Sequence, residues 1–367
     1  MTFTRISGHE KTIRRLRSLV ETGRVPPAMI FHGPAGIGKF PAALAFAAAL
    51  NCTRVPFVEK TSPPPQEESL DTLFAASEAA PPAPQTAEVP AAQPVVPAQS
   101  GDSCGLCNSC LQAKSGAHPD IRIVDTAFQA ALLNEDESAN LKIDTVRELT
   151  RWTQQKPMLS PWKVFIIRDA EALVPQAQNA LLKTLEAPPA NTVLILTAAR
   201  KNALLSTILS RCCPVEFGPL SRSVVGALLL AQGAAPDEAQ RLAALARGSL
   251  EKAAEAGGII ARLAKLRAGD PSRAFKFAAG LPRDSHLARE EVKTLLELAL
   301  ANIRIAWSAA EAGPAKNRYT ALLRRTLELR RMADRNVSYM QLLEITLLES
   351  ERAGLKLEEL LGTEVFN

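Results

Sequence analysis

The sequence predicts an α/β fold in which a parallel sheet is followed by a region built of helices. Short apolar runs alternate with helix-like segments between residues 28 and 217, which is the order expected of a parallel sheet. The run at 192–197 is continuously apolar and rich in β-branched residues, as in a strand buried on both faces. From Ser221 onward, no segment has the character of a strand.

The predicted elements follow one another along the chain in a regular order. Strands are expected at residues 28–32, 121–124, 163–167, 192–197 and 215–217, and helices at 42–50, 144–155, 173–186 and 205–210. Pro188 and Pro189 end the third of these helices because proline cannot continue a helix. Further on, helical periodicity predicts short helices at 224–231, 237–247 and 251–256, and longer amphipathic helices near 285–312, 316–335 and 338–361.

The segment from residue 54 to residue 102 interrupts this order. Ten of the 26 prolines fall between Pro56 and Pro97, among Ala, Gln, Ser and Glu. Such a composition buries too little apolar surface to offset its ordering entropy, so we predict a disordered insertion. The predicted domains are residues 1–218, which contain this insertion and a cysteine knuckle at 52–110, then a helical lid at 219–280 and a C-terminal helical domain at 281–367.

Composition and charge leave several classes of protein open. The chain is 47% hydrophobic and 22% charged, as in ordinary globular proteins, and its net charge is +5. The insertion carries −5, which leaves +10 on the remainder. This surplus is compatible with a nucleic-acid partner but does not require one. No apolar run reaches the ~18–20 residues of a membrane span, so we expect a cytoplasmic protein without a membrane partner.

The stretch GPAGIGKF, residues 33–40, fits the phosphate-binding P-loop pattern at seven of its eight positions. Gly33, Gly36, Gly38 and Lys39 supply the glycines and the lysine of a phosphate cradle, between a predicted strand and a predicted helix. Phe40 stands where a Ser or Thr hydroxyl would hold Mg²⁺. The pattern predicts a P-loop fold that lacks one group needed for catalysis.

A second departure follows the predicted strand at 163–167. Arg168 stands where the metal-holding acid is expected, and using Asp169 instead would put Ala170 at the usual position of the catalytic glutamate. These two departures predict a site that does not hydrolyse ATP. A purely structural loop without nucleotide and residual nucleotide or phosphate binding through Lys39 both remain open.

Four cysteines predict a metal site. Cys104, Cys107 and Cys110 are spaced three residues apart, and Cys52 is the nearest upstream cysteine. Together they would form a tetrahedral zinc site, structural because four thiolates leave no open position. The 51 intervening residues are compatible with this site, since loop-closure entropy grows slowly with length. Disulfides are the alternative, which a reducing compartment disfavours, and His118 is expected to support the site or to be unrelated.

Ser210-Arg211-Cys212 follows the helix predicted after the 192–197 strand. The spacing alone is compatible with an arginine that neutralises the negative end of the helix dipole. Cys212 and Cys213 are adjacent and therefore suit zinc chelation poorly, so we expect buried, reduced thiols.

These motifs, taken in order, resemble the delta-prime subunit of the bacterial DNA polymerase III clamp loader. The motifs are GPAGIGK, CxxCxxC, HPD, LKIDTVREL, NALLKTLEAPP and LSRC, and the likeness covers 1–53 and 102–220 closely. The resemblance implies an AAA+ P-loop domain, a lid and a C-terminal collar, in a pentameric ring that places a sliding clamp on primed DNA. The implied partners are gamma/tau ATPase subunits, the delta subunit and the clamp. It also implies that Arg211 is an arginine finger acting in trans at a neighbouring ATP site.

Two other functional classes are alternatives to the function that this resemblance implies. An active ATPase of the gamma/tau kind would carry a hydroxyl after Lys39 and an acidic pair at 168–169. A zinc-dependent DNA-binding module would carry basic and aromatic residues around the knuckle, where only Lys114 is close. The segment GSLEKA, at 248–253, matches the sensor-2 region of such ATPases, with Glu251 or Lys252 where an arginine is common.

Overall fold

The computed structural model describes residues 2–54, 101–264, 276–277, 279–281, 285–335 and 337–352. The core of the predicted insertion, residues 55–100, lies outside the described residues, as does the end of the last predicted helix. Within the described residues, a parallel sheet precedes a region of helices, so the predicted α/β fold class is confirmed. None of the described helices is long and apolar enough to cross a membrane.

Five parallel strands form one sheet in the order β2–β3–β4–β1–β5. They are β1 (Ala28–His32), β2 (Ile121–Val124), β3 (Lys163–Ile167), β4 (Thr192–Ala198) and β5 (Cys213–Glu216). Every residue of β3 and β4 is buried, as the continuous apolar runs predict. Alternate residues of these strands contribute to two apolar cores, one on each face of the sheet.

In the described part of the chain, seven α-helices accompany the sheet. They are α1 (Glu10–Thr22), α2 (Lys39–Leu50), α3 (Asn108–Ser115), α4 (Thr126–Leu133), α5 (Ile143–Thr153), α6 (Pro175–Glu186) and α7 (Ser206–Leu209). Helix α2 packs against the sheet, α1 and α3, and is buried along nearly its whole length. Its alanine-rich sequence suits this position, because small side chains let several elements approach one helix.

The described residues after the sheet include six further helices. They are α8 (Arg222–Ala231), α9 (Pro236–Leu245), α10 (Leu250–Ala264), α11 (Ser285–Ala309), α12 (Pro314–Met332) and α13 (Tyr339–Arg352). Helix α10 packs against α8, α9 and α11, and one apolar core continues from the sheet into these helices. The division into a lid at 219–280 and a C-terminal domain at 281–367 remains a prediction.

The predicted end of the insertion at residue 102 is wrong. Asp102 is buried, and its carboxylate accepts hydrogen bonds from the backbone N–H groups of Phe3 (2.9 Å), Thr4 (3.3 Å) and Ser103 (2.8 Å). It also pairs with Arg17 at 3.1 Å. The chain is therefore already packed against the N-terminal segment here, because one carboxylate satisfies several donors at once.

Helix α10 is longer than predicted. The expected end at Ala256 preceded Gly257 and Gly258, yet the helix continues through both glycines to Ala264. A Cβ on Gly257 would lie 3.4 Å from the side chain of Leu242 on α9, at the limit of ordinary van der Waals contact. Tertiary packing has here overridden the low helix propensity of glycine.

Candidate functional site

A cleft of about 710 Å³ opens at the carboxyl ends of β1, β3 and β4, where parallel α/β sheets usually bind ligands. The P-loop forms one wall and the segment after β3 forms another, while α10 contributes from the helical region. The lining residues are Ala35, Gly36, Gly38, Lys39, Phe40, Pro41, Arg168, Asp169, Glu171, Thr197, Ala199, Gln232, Leu250, Glu251 and Ala254. Of the predicted P-loop residues, Gly36, Gly38 and Lys39 share this cavity of nucleotide size with Arg168, whereas Gly33 does not line it.

Close backbone packing explains two of the P-loop glycines. At Gly33, with φ of +146°, an added Cβ would lie 2.0 Å from the carbonyl oxygen of Phe217. At Gly36, with φ of +67°, it would lie 2.3 Å from Cβ of Glu251. The Gly36 carbonyl also accepts a 2.9 Å hydrogen bond from the Leu250 N–H. The loop is therefore tied to the residue after β5 and to the start of α10, for reasons that do not involve a phosphate.

Lys39 is directed at its own loop. Its Nζ donates to the carbonyl oxygens of Gly33 at 2.7 Å and Pro34 at 2.5 Å, and the residue is only 7% exposed. Burial lowers the pKa of Lys39, while nearby carboxylates oppose that shift. Backbone carbonyls thus accept hydrogen bonds from the lysine that was expected to bind a phosphate.

The two departures from the nucleotide-binding motifs contact each other. The Arg168 guanidinium carbon lies 5.2 Å from the centroid of the Phe40 ring, a cation–π contact. In active P-loops, a hydroxyl at the first position and an acid at the second hold Mg²⁺ between them. Here an aromatic ring and a fixed cation take those two places, and the cation repels Mg²⁺.

Negative charge predominates among the side chains that line the cleft. Asp169, Glu171 and Glu251 face two cations, Lys39 and Arg168. Oε1 of Glu171 accepts a 2.8 Å hydrogen bond from the Ala199 N–H, and Oε2 is buried without a hydrogen-bond partner among the described residues. A triphosphate without its metal would meet a net excess of carboxylates.

The sensor-2 region contributes an acid to this cleft rather than a base. Glu251 lines the cavity, whereas Nζ of Lys252 binds Oε2 of Glu297 on α11 at 2.8 Å. Arg330 of α12 binds the other oxygen of Glu297 at 3.1 Å. The sequence left open whether Glu251 or Lys252 stands at the position where an arginine is common. In the structure Glu251 lines the cleft, and Lys252 instead joins α10 to α11.

The four predicted metal ligands lie together. The sulfur atoms of Cys52, Cys104, Cys107 and Cys110 all lie within 4.8 Å of one another. The Cys52–Cys107 sulfur pair is separated by 4.0 Å and the Cys104–Cys110 pair by 3.9 Å. A tetrahedral ion with sulfur at about 2.3 Å requires sulfur separations of about 3.8 Å, so the arrangement can hold one such ion.

Backbone N–H groups support the sulfur atoms. The backbone nitrogen of Cys104 lies 3.3 Å from the Cys52 sulfur, and that of Cys107 lies 3.3 Å from the Cys104 sulfur. The backbone nitrogen of Cys110 lies 3.5 Å from the Cys107 sulfur. The Cys110 thiol donates to the Cys52 sulfur, which lowers the pKa of Cys52 and raises that of Cys110. The backbone donors favour thiolates, the form that binds a metal.

His118 supports the cysteine cluster without joining it. Its Nε2 lies 3.0 Å from Oγ of Ser109 on α3 and 3.1 Å from Oγ of Ser160, and its Nδ1 accepts from the Asp120 N–H at 3.1 Å. The Asp120 carboxylate accepts from the backbone of residues 158–160. The HPD motif therefore links the cluster to the loop before β3.

Arg211 lies outside its own chain's cleft, just beyond α7. Nη1 donates to the Thr207 carbonyl at 3.1 Å and to Oγ of Ser210 at 3.3 Å, and Nη2 pairs with Oε1 of Glu186 at 2.8 Å. The side chain is 37% exposed. Cys212 is buried and Cys213 is half-buried, both as free thiols, so the expectation of burial was wrong for Cys213.

Two residues of these sites, Thr197 and Glu186, were not predicted from the sequence. Thr197 lines the cleft, and its Oγ1 accepts from the Asp169 N–H at 3.1 Å. Its position at the end of a predicted strand was a usable signal, because ligands bind at the carboxyl edge of parallel sheets. Glu186 carried a weaker signal, an acid at a helix C-terminus.

Comparisons with known proteins agree with the resemblance. Residues 73–221 match the family model described as DNA polymerase III, delta subunit. The chain is 31% identical to DNA polymerase III subunit delta' of Pseudomonas aeruginosa over 226 residues, which cover 60% of this chain and 53% of that protein. It is 39% identical to the Escherichia coli subunit delta' over 114 residues, covering 31% of this chain and 32% of that one.

A tau/gamma subunit is also similar. The chain is 26% identical to DNA polymerase III subunit tau/gamma of Haemophilus influenzae over 251 residues, or 68% of this chain and 29% of that protein. The chain thus spans about half the length or less of these curated relatives. It is related in sequence to delta-prime subunits, which confirms the predicted resemblance.

Proposed function

We propose that this chain is a subunit of a clamp loader of the DNA polymerase III holoenzyme that does not hydrolyse ATP itself. In the proposed assembly it acts in the cytoplasm, with gamma/tau ATPase subunits and a delta subunit, to load a sliding clamp on primed DNA. The observation that carries the proposal is the contact between Phe40 and Arg168. Both magnesium-holding groups are replaced, and their replacements pack against each other.

The charge of the cleft supports the same proposal. Lys39 is held by its own loop, and Glu251 occupies the sensor-2 side of the cavity. Hydrolysis requires positive charge to stabilise the transferring phosphoryl group. The excess of carboxylates, and the presence of Phe40 and Arg168 at the two positions expected to hold Mg²⁺, both disfavour that reaction.

Arg211 is the residue proposed to carry chemistry, and it acts on a neighbour. Its guanidinium lies at the surface beyond α7 and is not part of its own cleft. An arginine supplied in trans stabilises charge on the γ-phosphate and contributes ~10³–10⁵ in rate where such fingers have been dissected. The 3.1 Å bond to Thr207 shows that Arg211 also caps α7, and this contact can coexist with the proposed role.

A structural zinc ion is proposed at Cys52, Cys104, Cys107 and Cys110. Four thiolates complete a tetrahedral shell, so the ion would stabilise this part of the fold and offer no open position for substrate. The knuckle lies between the end of α2, the helix that begins in the P-loop, and the start of α3. The proposed architecture is an AAA+ domain, a lid and a C-terminal collar.

Reconstitution with the remaining clamp-loader subunits tests the proposal. Arg211→Ala should lower DNA- and clamp-stimulated ATPase only in part, because one of several sites loses its finger, and should lower clamp loading more. Arg211→Lys should rescue little, since an ammonium lacks the planar fork of guanidinium. Unchanged rates in a complex shown to assemble would leave Arg211 as a helix cap.

The isolated chain provides an independent test. We expect no steady-state ATP turnover, because Phe40 and Arg168 replace both magnesium-positioning groups. Turnover of ~1 s⁻¹ or more, the lower end of ordinary enzyme rates, that disappears in Lys39→Ala would instead identify an active ATPase.

A further inference from the structure

Glu186 is the last residue of α6 and part of the NALLKTLEAPP motif, to which no role has so far been given. Its Oε1 lies 2.8 Å from Nη2 of Arg211, so an ion pair joins this motif to the Ser-Arg-Cys motif. The two side chains are 52% and 37% exposed, which leaves the guanidinium accessible to a neighbouring subunit.

The position of Glu186 is unfavourable for its own helix. The C-terminal end of a helix carries partial negative charge, and an acid there is repelled by it. Lys183 is the only basic residue in the last turn of α6, and Ala187 follows before two prolines. An acid that destabilises the end of its own helix, with no compensating contact inside that helix, points to a role outside the helix.

Glu186 and Thr207 hold the guanidinium from two sides. Nη1 of Arg211 donates to the Thr207 carbonyl, and Nη2 donates to Glu186. Helix α6 is itself tied to the start of α7, because Oε1 of Gln178 accepts a 2.9 Å bond from the Leu205 N–H. The pair thus restricts a long side chain that is still 37% exposed.

We propose that Glu186 is a positioning residue that holds the Arg211 guanidinium ready for the ATP site of the neighbouring subunit. This inference rests on the proposed function of Arg211 as a finger in trans. A preorganised cation avoids the ordering cost of a flexible side chain when the transition state forms. Glu186 should therefore affect the turnover rate rather than the affinity for ATP.

The expected effect is modest. An exposed ion pair contributes a free energy that corresponds to about a 1.4- to 5-fold change in an equilibrium constant. Glu186→Ala should slow clamp loading by about 2- to 5-fold and lower kcat of the stimulated ATPase with KM for ATP unchanged. Glu186→Gln should fall between the natural chain and Glu186→Ala, since an amide oxygen still accepts the hydrogen bond but carries no charge.

A double-mutant cycle in the reconstituted complex tests this proposal. The four proteins are the natural chain, Glu186→Ala, Arg211→Ala and the double variant, compared by clamp-loading rate at equal assembly. Glu328→Ala is the matched control, because Glu328 forms a similarly exposed 3.1 Å pair with Arg325 on α12. The proposal expects Glu186→Ala to slow loading, and to add nothing in the Arg211→Ala background.

The other outcomes separate two kinds of failure. Unchanged or faster loading in Glu186→Ala, while Arg211→Ala is slow, overturns the role of Glu186 alone. The same loss in both backgrounds also overturns it, because Glu186 then acts by a route other than Arg211. If Arg211→Ala loads at the natural rate, the proposed role of Arg211 as a finger in trans fails, and with it the role of Glu186.

Discussion

Replacing Asp102 with alanine should destabilise the protein strongly, although this residue lies at the edge of a segment predicted to be disordered. Its side chain is only 4% exposed and accepts hydrogen bonds from Phe3, Thr4 and Ser103, besides pairing with Arg17. Gly101, the residue before it, packs so closely on α1 that an added Cβ would lie 2.6 Å from the Arg17 carbonyl oxygen. The chain is thus anchored just before Cys104.

The size of the loss follows from these contacts. Removing one partner of a buried ion pair costs about 3–5 kcal/mol, since the remaining groups lose their acceptor. Each unsatisfied buried N–H costs about 1–3 kcal/mol, and those of Phe3 and Ser103 are buried. Because Arg17 is 26% exposed, water can hydrate it in part. We therefore expect Asp102→Ala to lower the free energy of unfolding by about 3–4 kcal/mol, and Asp102→Asn by less.

Urea denaturation of the full chain at fixed zinc concentration measures this loss. Amide hydrogen exchange at Phe3 and Thr4 should accelerate in Asp102→Ala, because their acceptor is gone. Glu328→Ala, which removes an exposed pair, should change the free energy of unfolding by less than about 1 kcal/mol. A change in Asp102→Ala no larger than in this control would refute the anchoring role of Asp102.

Three further predictions concern the metal site, the insertion and the cleft. Cys107→Ser should lose the bound zinc, measured by metal analysis, while Cys212→Ser should keep about one equivalent; metal retained at unchanged affinity in Cys52→Ser would exclude Cys52 as the fourth ligand. Deleting residues 56–100 should leave soluble, zinc-loaded protein, because the predicted insertion adds closure entropy and no core; loss of soluble protein would show that this segment packs. Phe40→Ser combined with Arg168→Asp should bind ATP at least about tenfold more tightly with Mg²⁺ than with EDTA, by calorimetry; equal affinities would show that this pair does not exclude the metal.

The elements that sequence predicted best are those set by local pattern. Strands β1, β2 and β3 have the bounds predicted from the sequence, because each coincides with a short, mainly apolar segment. The P-loop glycines were predictable for a similar reason, since positive φ and close backbone contact leave no choice of residue. The spacing of Cys104, Cys107 and Cys110 indicated a shared site.

The features that sequence could not predict depend on contacts between distant segments. Nothing in the sequence distinguishes Asp102 from the acids before it, and only the fold places Phe3 and Arg17 beside it. Whether Glu251 or Lys252 faces the cleft depends on Glu297, which belongs to another helix. The partner of Arg211 was hidden likewise, because Glu186 is brought to it only by the packing of α6 against α7.

The contact between Phe40 and Arg168 changes how the surviving P-loop pattern should be interpreted. If only Phe40 were present, an acid at position 168 would have no hydroxyl with which to share a metal. If only Arg168 were present, its guanidinium would have no aromatic ring to contact. Together they form a cation–π pair worth about 0.5–1 kcal/mol at an exposed site. Gly33 and Gly36 meanwhile meet Phe217 and Glu251 so closely that larger residues would not fit. Packing alone therefore requires glycine at Gly33 and Gly36, so these two positions of the motif do not by themselves indicate a working nucleotide site.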